Sequence, residues 1–130
     1  MDSFDHEKLD VYQAAIDYVG LADTLVEGLP RGRAYLADQI QRAAASIALN
    51  IAEGAGEYSR RDKARFYRMA RRSATESAAL LDVCRRLKVG DESLLPGARD
   101  LLLRIVSMLI RLVRPGQGRS GTGRGTGTEE

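Results

Sequence analysis

The run SRRDKARFYRMARRS, residues 59–73, crowds guanidinium and ammonium groups into a few helical turns, and two glycines, Gly54 and Gly56, stand just before it. Glycines ahead of a basic helix raise one chemistry first, a phosphate cradle at a helix start. A nucleotide-binding loop of that kind needs a preceding strand and a Gly-Lys-Ser/Thr ending. The segment GAGEYS has neither. Gly54 and Gly56 instead follow a helical pattern, where a left-handed residue ends a helix, so the loop reads as a helix stop.

The arginines are then judged by where they point. At about 100° per residue with Phe66 at the origin, Phe66, Ser73, Ser77 and Cys84 share one face, while Arg61, Arg65, Arg68 and Arg72 fall at roughly 200° to 260°. They form one stripe opposite the core, with Lys63 and Arg71 at its margins. A solvated helix face usually mixes signs, with Glu placed four residues before Lys or Arg. Here only Asp62 and Glu76 bracket the stripe. Stacked guanidinium groups repel unless an anion relieves them. That anion is a nucleic-acid phosphate, an acidic protein partner, or acids from the first helix of the same chain or a neighbour.

The bulk composition supports a single aliphatic body. The chain has 130 residues, 44% hydrophobic and 29% charged, without Trp and with few aromatics, which favours helices over sheets. A net charge of +2 hides a local polarity. Residues 1–27 carry Asp2, Asp5, Glu7, Asp10, Asp17, Asp23 and Glu27 against Lys8, whereas residues 60–88 are dominated by Arg and Lys. Cys84 and His6 are the only residues of their kinds. One chain therefore cannot assemble a disulfide framework or a Cys/His metal cluster, no cofactor or metal is expected, and a reducing cytoplasm fits. The start MDSFDHEKLD is acidic where a secretory signal would be basic and then apolar. The greasy stretch 101–113 is interrupted by Arg104 and Arg111, so neither a signal peptide nor a membrane span is expected.

Four helical periodicities are legible. The first runs from Val11 to Leu29. The second covers about residues 33–54, through Leu36, Ile40, Ile47 and Ile51, and the third opens at Ser59, whose hydroxyl and the Asp62 carboxylate form a capping box. Its expected core stripe is Phe66, Met69/Ala70, Ser73, Ser77, Leu80/Leu81, Cys84 and Leu87, stopping at Gly90. The fourth begins near Ser93, tolerates Pro96 in its first turn, and ends at Pro115. Four helices on short connections predict an all-α, antiparallel up-down-up-down four-helix bundle over residues 1–114. Residues 115–130, rich in Gly with small polar residues, are expected to be a flexible tail.

Two helices carry more apolar surface than one bundle can cover. Opposite Ile47, helix two presents Ala45, Ala48, Leu49 and Ala52, and helix four flanks its core stripe with Leu103, Val106, Ile110 and Val113. Aligned surplus of this kind predicts a homo-oligomer through a helical interface.

Residues 39–81, QIQRAAASIALNIAEGAGEYSRRDKARFYRMARRSATESAALL, resemble the signature of the small four-helix-bundle proteins encoded by intervening sequences in bacterial large-subunit ribosomal RNA genes. The LDVYQAA opening at residues 9–15 is similar to that family's first helix, so the resemblance spans about residues 8–113. It implies an antiparallel bundle assembled as a ring, commonly a pentamer. The accessory protein of diversity-generating retroelements is similar in fold, and there a basic ring engages nucleic acid and a reverse transcriptase. The family motif falls on Ser46, Asn50, Glu53, Gly54 and Glu76. Asn50 and Glu53 lie one helical turn apart, but no His, Cys or second placed carboxylate completes an acid–base set, so the motif reads as a structural polar clasp. Glu53 sits near the negative end of helix two, which calls for an arginine or the start of helix three to compensate it.

The expectation is thus a non-enzymatic, cytoplasmic, oligomeric bundle without catalytic residues. Its basic face (Arg61, Lys63, Arg65, Arg68, Arg71, Arg72) binds RNA or DNA backbone or, alternatively, pairs with an acidic protein as an interaction adaptor.

Overall fold

The computed structural model describes residues 2–114, and the predicted Gly-rich tail lies outside them. Four helices follow one another: α1 (Asp10–Glu27), α2 (Ala34–Ala55), α3 (Arg60–Leu87) and α4 (Leu95–Val113). No strand occurs among the described residues. Each helix packs on its neighbour in sequence and α4 returns to α1, closing a helical bundle. Two short 3₁₀ turns, Asp5–Lys8 and Glu92–Leu94, are additions that no hydrophobic periodicity announces.

The helix ends follow local chemistry. Ser59 Oγ accepts the Asp62 amide at 3.0 Å. Of the expected capping box only this half forms, since the Asp62 carboxylate takes no hydrogen bond from Ser59. Helix α3 ends three residues before the expected stop at Gly90, at Leu87, because Lys88 itself turns left-handed (φ 59°) and Val89 N then reaches Cys84 O at 3.0 Å. Gly90, also at positive φ, completes the reversal. Gly56 does cap α2, but in a right-handed conformation, so the helix stop is there without the left-handed geometry expected of it.

Gly54 has another task. It lies inside α2, and a Cβ placed on it would fall 2.8 Å from the Tyr67 ring and 3.1 Å from Phe66 Cβ. The missing side chain is the slot that seats Tyr67. This moves the buried face of α3 away from the expected stripe: Tyr67, Ala70, Ala74, Ser77, Leu80, Leu81 and Cys84 are buried, Phe66 and Ser73 are half-buried, and Met69 and Leu87 are exposed. The core is otherwise the aliphatic one that composition called for, with Leu25, Leu36, Ile40, Ile47, Ile51, Leu81, Leu102, Ile105 and Leu109 fully enclosed around Tyr18.

The apolar surplus of α2 is smaller than its sequence promised. Ala48 is buried within the protomer, Ala45 and Ala52 are half-buried, and Leu49 alone stands out at 65% exposure. The Asp5–Lys8 turn lies against α2, and Phe4, Asp5 and His6 share a cleft with Ala52, Glu53, Gly56 and Glu57. His6 is held edge-on to Tyr12 at 4.5 Å and stacked on Phe4 at 5.6 Å between centroids. On α4, Leu103 and Ile110 are exposed while Val106 and Val113 are half-buried.

Candidate nucleic-acid interface

Helix α3 puts Arg61, Arg65, Arg68 and Arg72 on its exposed side, one stripe as the angular reading requires, and leaves Arg71 half-buried beside it. Over the eleven residue steps from Arg61 to Arg72 the stripe runs about 16 Å at the helical rise. Ser59, Asp62, Arg61, Arg65 and Arg68 line an open groove of about 640 Å³ at its head. The Arg65 guanidinium lies 4.6 Å over the Phe66 ring, which holds it in place while its charge stays in solvent.

No acid forms an ion pair with the stripe among the described residues, although Asp62 shares its groove. The ion pairs there are Arg42–Asp38 at 3.7 Å and Arg85–Asp82 at 3.6 Å, both between near neighbours on one helix. The acids of α1 in the same chain, one of the sources of relief left open by the sequence, do not pair with the stripe.

Lys63 departs from the predicted set. Its position turns it toward α2, where Nζ donates to the Ala55 carbonyl at 3.0 Å and to the Gly54 carbonyl at 3.5 Å. A cation on the last carbonyls of a helix offsets the negative end of its dipole. The carbonyl end of α2 is thus met by a lysine from the start of α3, while no ion pair to the Glu53 carboxylate forms among the described residues, and Lys63 is taken off the outer face.

The five motif residues divide. Ser46 Oγ meets Ser73 Oγ at 2.8 Å across α2 and α3, and Asn50 Nδ2 donates to Ser46 O at 2.9 Å and to Ser46 Oγ at 3.1 Å. This is a polar clasp on the α2–α3 seam, with Gly54 and its Tyr67 contact on the same seam. Glu53 is exposed at the cleft below the N-terminal turn, and Glu76 is exposed on α3, so neither joins the clasp. Ser73, the partner that completes it, reads in sequence only as part of a core stripe.

Among the inward groups, Cys84 is buried, and burial pushes its thiol up. Burial also raises the Tyr67 hydroxyl and drives that of Tyr18 to about 12, an effect the Ser77 hydroxyl offsets in part and Cys84 reinforces. Ser77 Oγ is itself buried without a partner in hydrogen-bonding geometry. Two outward features had no sequence signal of their own. Tyr58 projects fully into solvent before α3, and Asp10, Asp17, Arg104 and Arg111 line a groove between α1 and α4. No helix among the described residues is long and apolar enough to cross a membrane.

Fold and site together define an all-helical bundle with a cationic outer face on its third helix. The chain belongs to the family of 23S rRNA-intervening sequence proteins, whose family model matches residues 7–111. It is also similar to the crystal structure of a protein of unknown function from the S23 ribosomal protein family of Bacteroides thetaiotaomicron. That likeness has a TM-score of 0.73 at 21% identity, covering 79% of this chain and 97% of the other, and it speaks to the fold. No curated protein sequence matches the chain.

Proposed function

We propose that the protein is a non-enzymatic, oligomeric bundle that binds the backbone of RNA or DNA through Arg61, Arg65, Arg68 and Arg72, with Arg71 at the margin. The observation that carries this reading is a row of exposed guanidinium groups on one helix with no carboxylate in pairing distance among the described residues. Such a row repels itself until an anion lies along it. Phosphates meet guanidinium groups in bidentate geometry, and backbone contacts position a strand without reading its sequence.

The bundle is taken as antiparallel, up-down-up-down. The pairing of Ser46 with Ser73 and the approach of Gly54 to Phe66 support opposite directions for α2 and α3. Copies of the chain associate through the outer face of α2 around Leu49, and the family resemblance favours a five-membered ring. A cytoplasmic, bacterial setting fits the single buried thiol and the resemblance.

A mobility-shift assay at low salt tests the binding claim. Wild type retards RNA or DNA, and the variant carrying Arg→Glu at positions 61, 65, 68 and 72 does not. A wild type that shifts neither, or a variant that binds equally, removes the reading. A second reading, an adaptor whose basic face pairs with an acidic protein, is favoured by the exposed acids of the N-terminal region, including Asp10, Asp17, Asp23 and Glu27, which offer complementary charge on another copy. Pull-down from nuclease-treated extract separates the two, because a protein partner survives the nuclease and an RNA-bridged one is lost.

A further inference from the structure

Between the end of α2 at Ala55 and the start of α3 at Arg60, one side chain makes no use of the protein at all. Tyr58 is 102% exposed, the most exposed large apolar side chain of the described residues. The turn that carries it is nevertheless fixed on both sides. Gly56 N donates to Ala52 O at 3.2 Å and Glu57 N to Gly54 O at 3.1 Å. One residue beyond Tyr58, Ser59 Oγ holds the Asp62 amide at 3.0 Å, and Lys63 N closes on Ser59 O at 3.0 Å. The ring is presented on an anchored backbone, and both its faces are open.

The chain turns basic just after Tyr58. Glu57 precedes it, Ser59 and Arg60 follow it, and Ser59 lines the groove that Arg61, Arg65 and Arg68 share with Asp62. Arg65 is steadied by the Phe66 ring. An exposed aromatic one residue before Ser59, which lines the arginine groove, combines the two contacts that single-stranded nucleic acid requires, a planar surface for a base and positive charge for the phosphates that follow it. A paired base cannot use the first, because its faces are already stacked inside the duplex. An acidic peptide would use the charge but has no comparable need of an open ring.

We infer that Tyr58 is a stacking platform for an unpaired base, so that the arginine groove takes single-stranded nucleic acid, or a single-stranded loop, in preference to duplex. The inference rests on the nucleic-acid reading of the stripe and names the form of strand that it accepts. The ring stacks on the base while Arg61, Arg65 and Arg68 meet the adjoining phosphates. Sequence preference is weak, because every base has a face to offer.

The test uses the full chain with three probes at low salt: an oligothymidylate, the same strand paired with oligoadenylate, and an abasic strand of equal length. Tyr58→Ala weakens binding of the oligothymidylate by about tenfold or more and leaves the abasic strand and the duplex unaffected, while Tyr58→Phe binds as wild type does. Since the chain has no Trp, Tyr58→Trp adds a single indole whose fluorescence is quenched by the oligothymidylate and not by the abasic strand. Circular dichroism verifies that these variants keep their helix content. A wild type that binds all three probes equally, a Tyr58→Ala variant without selective loss, or an indole left unquenched on a bound strand overturns the inference and leaves the phosphate-binding reading standing. A wild type that binds polyglutamate and none of the three probes overturns both.

Discussion

Lys63 Nζ lies 3.0 Å from the carbonyl oxygen of Ala55, so a cation from the middle of the basic run closes the preceding helix. The half-buried stem crosses from α3 to the end of α2 and satisfies carbonyls that the helix leaves open. Lys63→Met removes this cap and is expected to cost about 1 kcal/mol of stability, read as a lower urea midpoint. Arg68→Met, on the exposed stripe, is expected to leave the midpoint within about 0.5 kcal/mol and to weaken nucleic-acid binding instead. The reverse assignment of effects would place Lys63 back in the binding face.

Gly54→Ala tests the slot that seats Tyr67. The added Cβ would lie 2.8 Å from the Tyr67 ring, a contact that requires either the ring or α2 to move. Although alanine is the better helix former, overpacking of this kind is expected to cost roughly 1–3 kcal/mol. Pairing the change with Tyr67→Leu, which removes the clashing edge, should recover part of that loss. A Gly54→Ala protein as stable as wild type in chemical denaturation would mean that the seam is looser than its geometry.

The existence and approximate limits of all four helices were legible because the apolar residues repeat at the helical period over long segments. What escaped the sequence depends on partners far along the chain. Phe66 and Tyr67 are adjacent aromatics, and periodicity on α3 alone cannot decide which turns inward; the slot at Gly54 on another helix decides it. Lys63 belongs to the run by sequence and to the end of α2 by packing. Ser46 and Ser73 are 27 residues apart, so their hydrogen bond has no local signature. The small residues of α2 read as bare surface because the turn that shelters one end of them, Asp5–Lys8, has no periodicity to reveal it. The arginine stripe was legible, since a helix face that avoids the core is fixed by angle alone.

Alkaline pH should destabilise the fold through Tyr18. Burial raises its hydroxyl from 10.0 to about 12, so the unfolded chain ionises first as pH increases. The contribution is whole below pH 10.0 and is lost as pH rises toward about 12, by roughly 2–3 kcal/mol in all. Urea unfolding at successive pH values through that window should show the decline, and Tyr18→Phe should flatten most of it, leaving the part due to Tyr67 and Cys84, whose groups are raised in the same direction. An unchanged slope in Tyr18→Phe would assign the alkaline transition elsewhere.

Self-association is tested at Leu49, the apolar side chain that α2 leaves 65% exposed. A carboxylate there would be desolvated in a helical contact at a cost on the order of a few kcal/mol per interface. On a monomer it would remain in water and change little. Light scattering coupled to gel filtration should therefore give wild type a mass several times the 14.2 kDa chain and Leu49→Glu a mass near one chain, with helix content preserved. A wild-type mass of one chain, or a Leu49→Glu variant that keeps the full assembly, contradicts this interface.

The most direct measurement of the central claim is the salt dependence of binding to a single-stranded oligonucleotide. Four arginines that each displace a counterion predict a slope of about −3 in the logarithm of the association constant against the logarithm of salt concentration. Replacing Arg61, Arg65, Arg68 and Arg72 by Glu should abolish binding across the same range. A wild-type affinity that is flat in salt, or a fourfold Glu variant that retains both affinity and slope, would contradict the assignment of this face to nucleic acid.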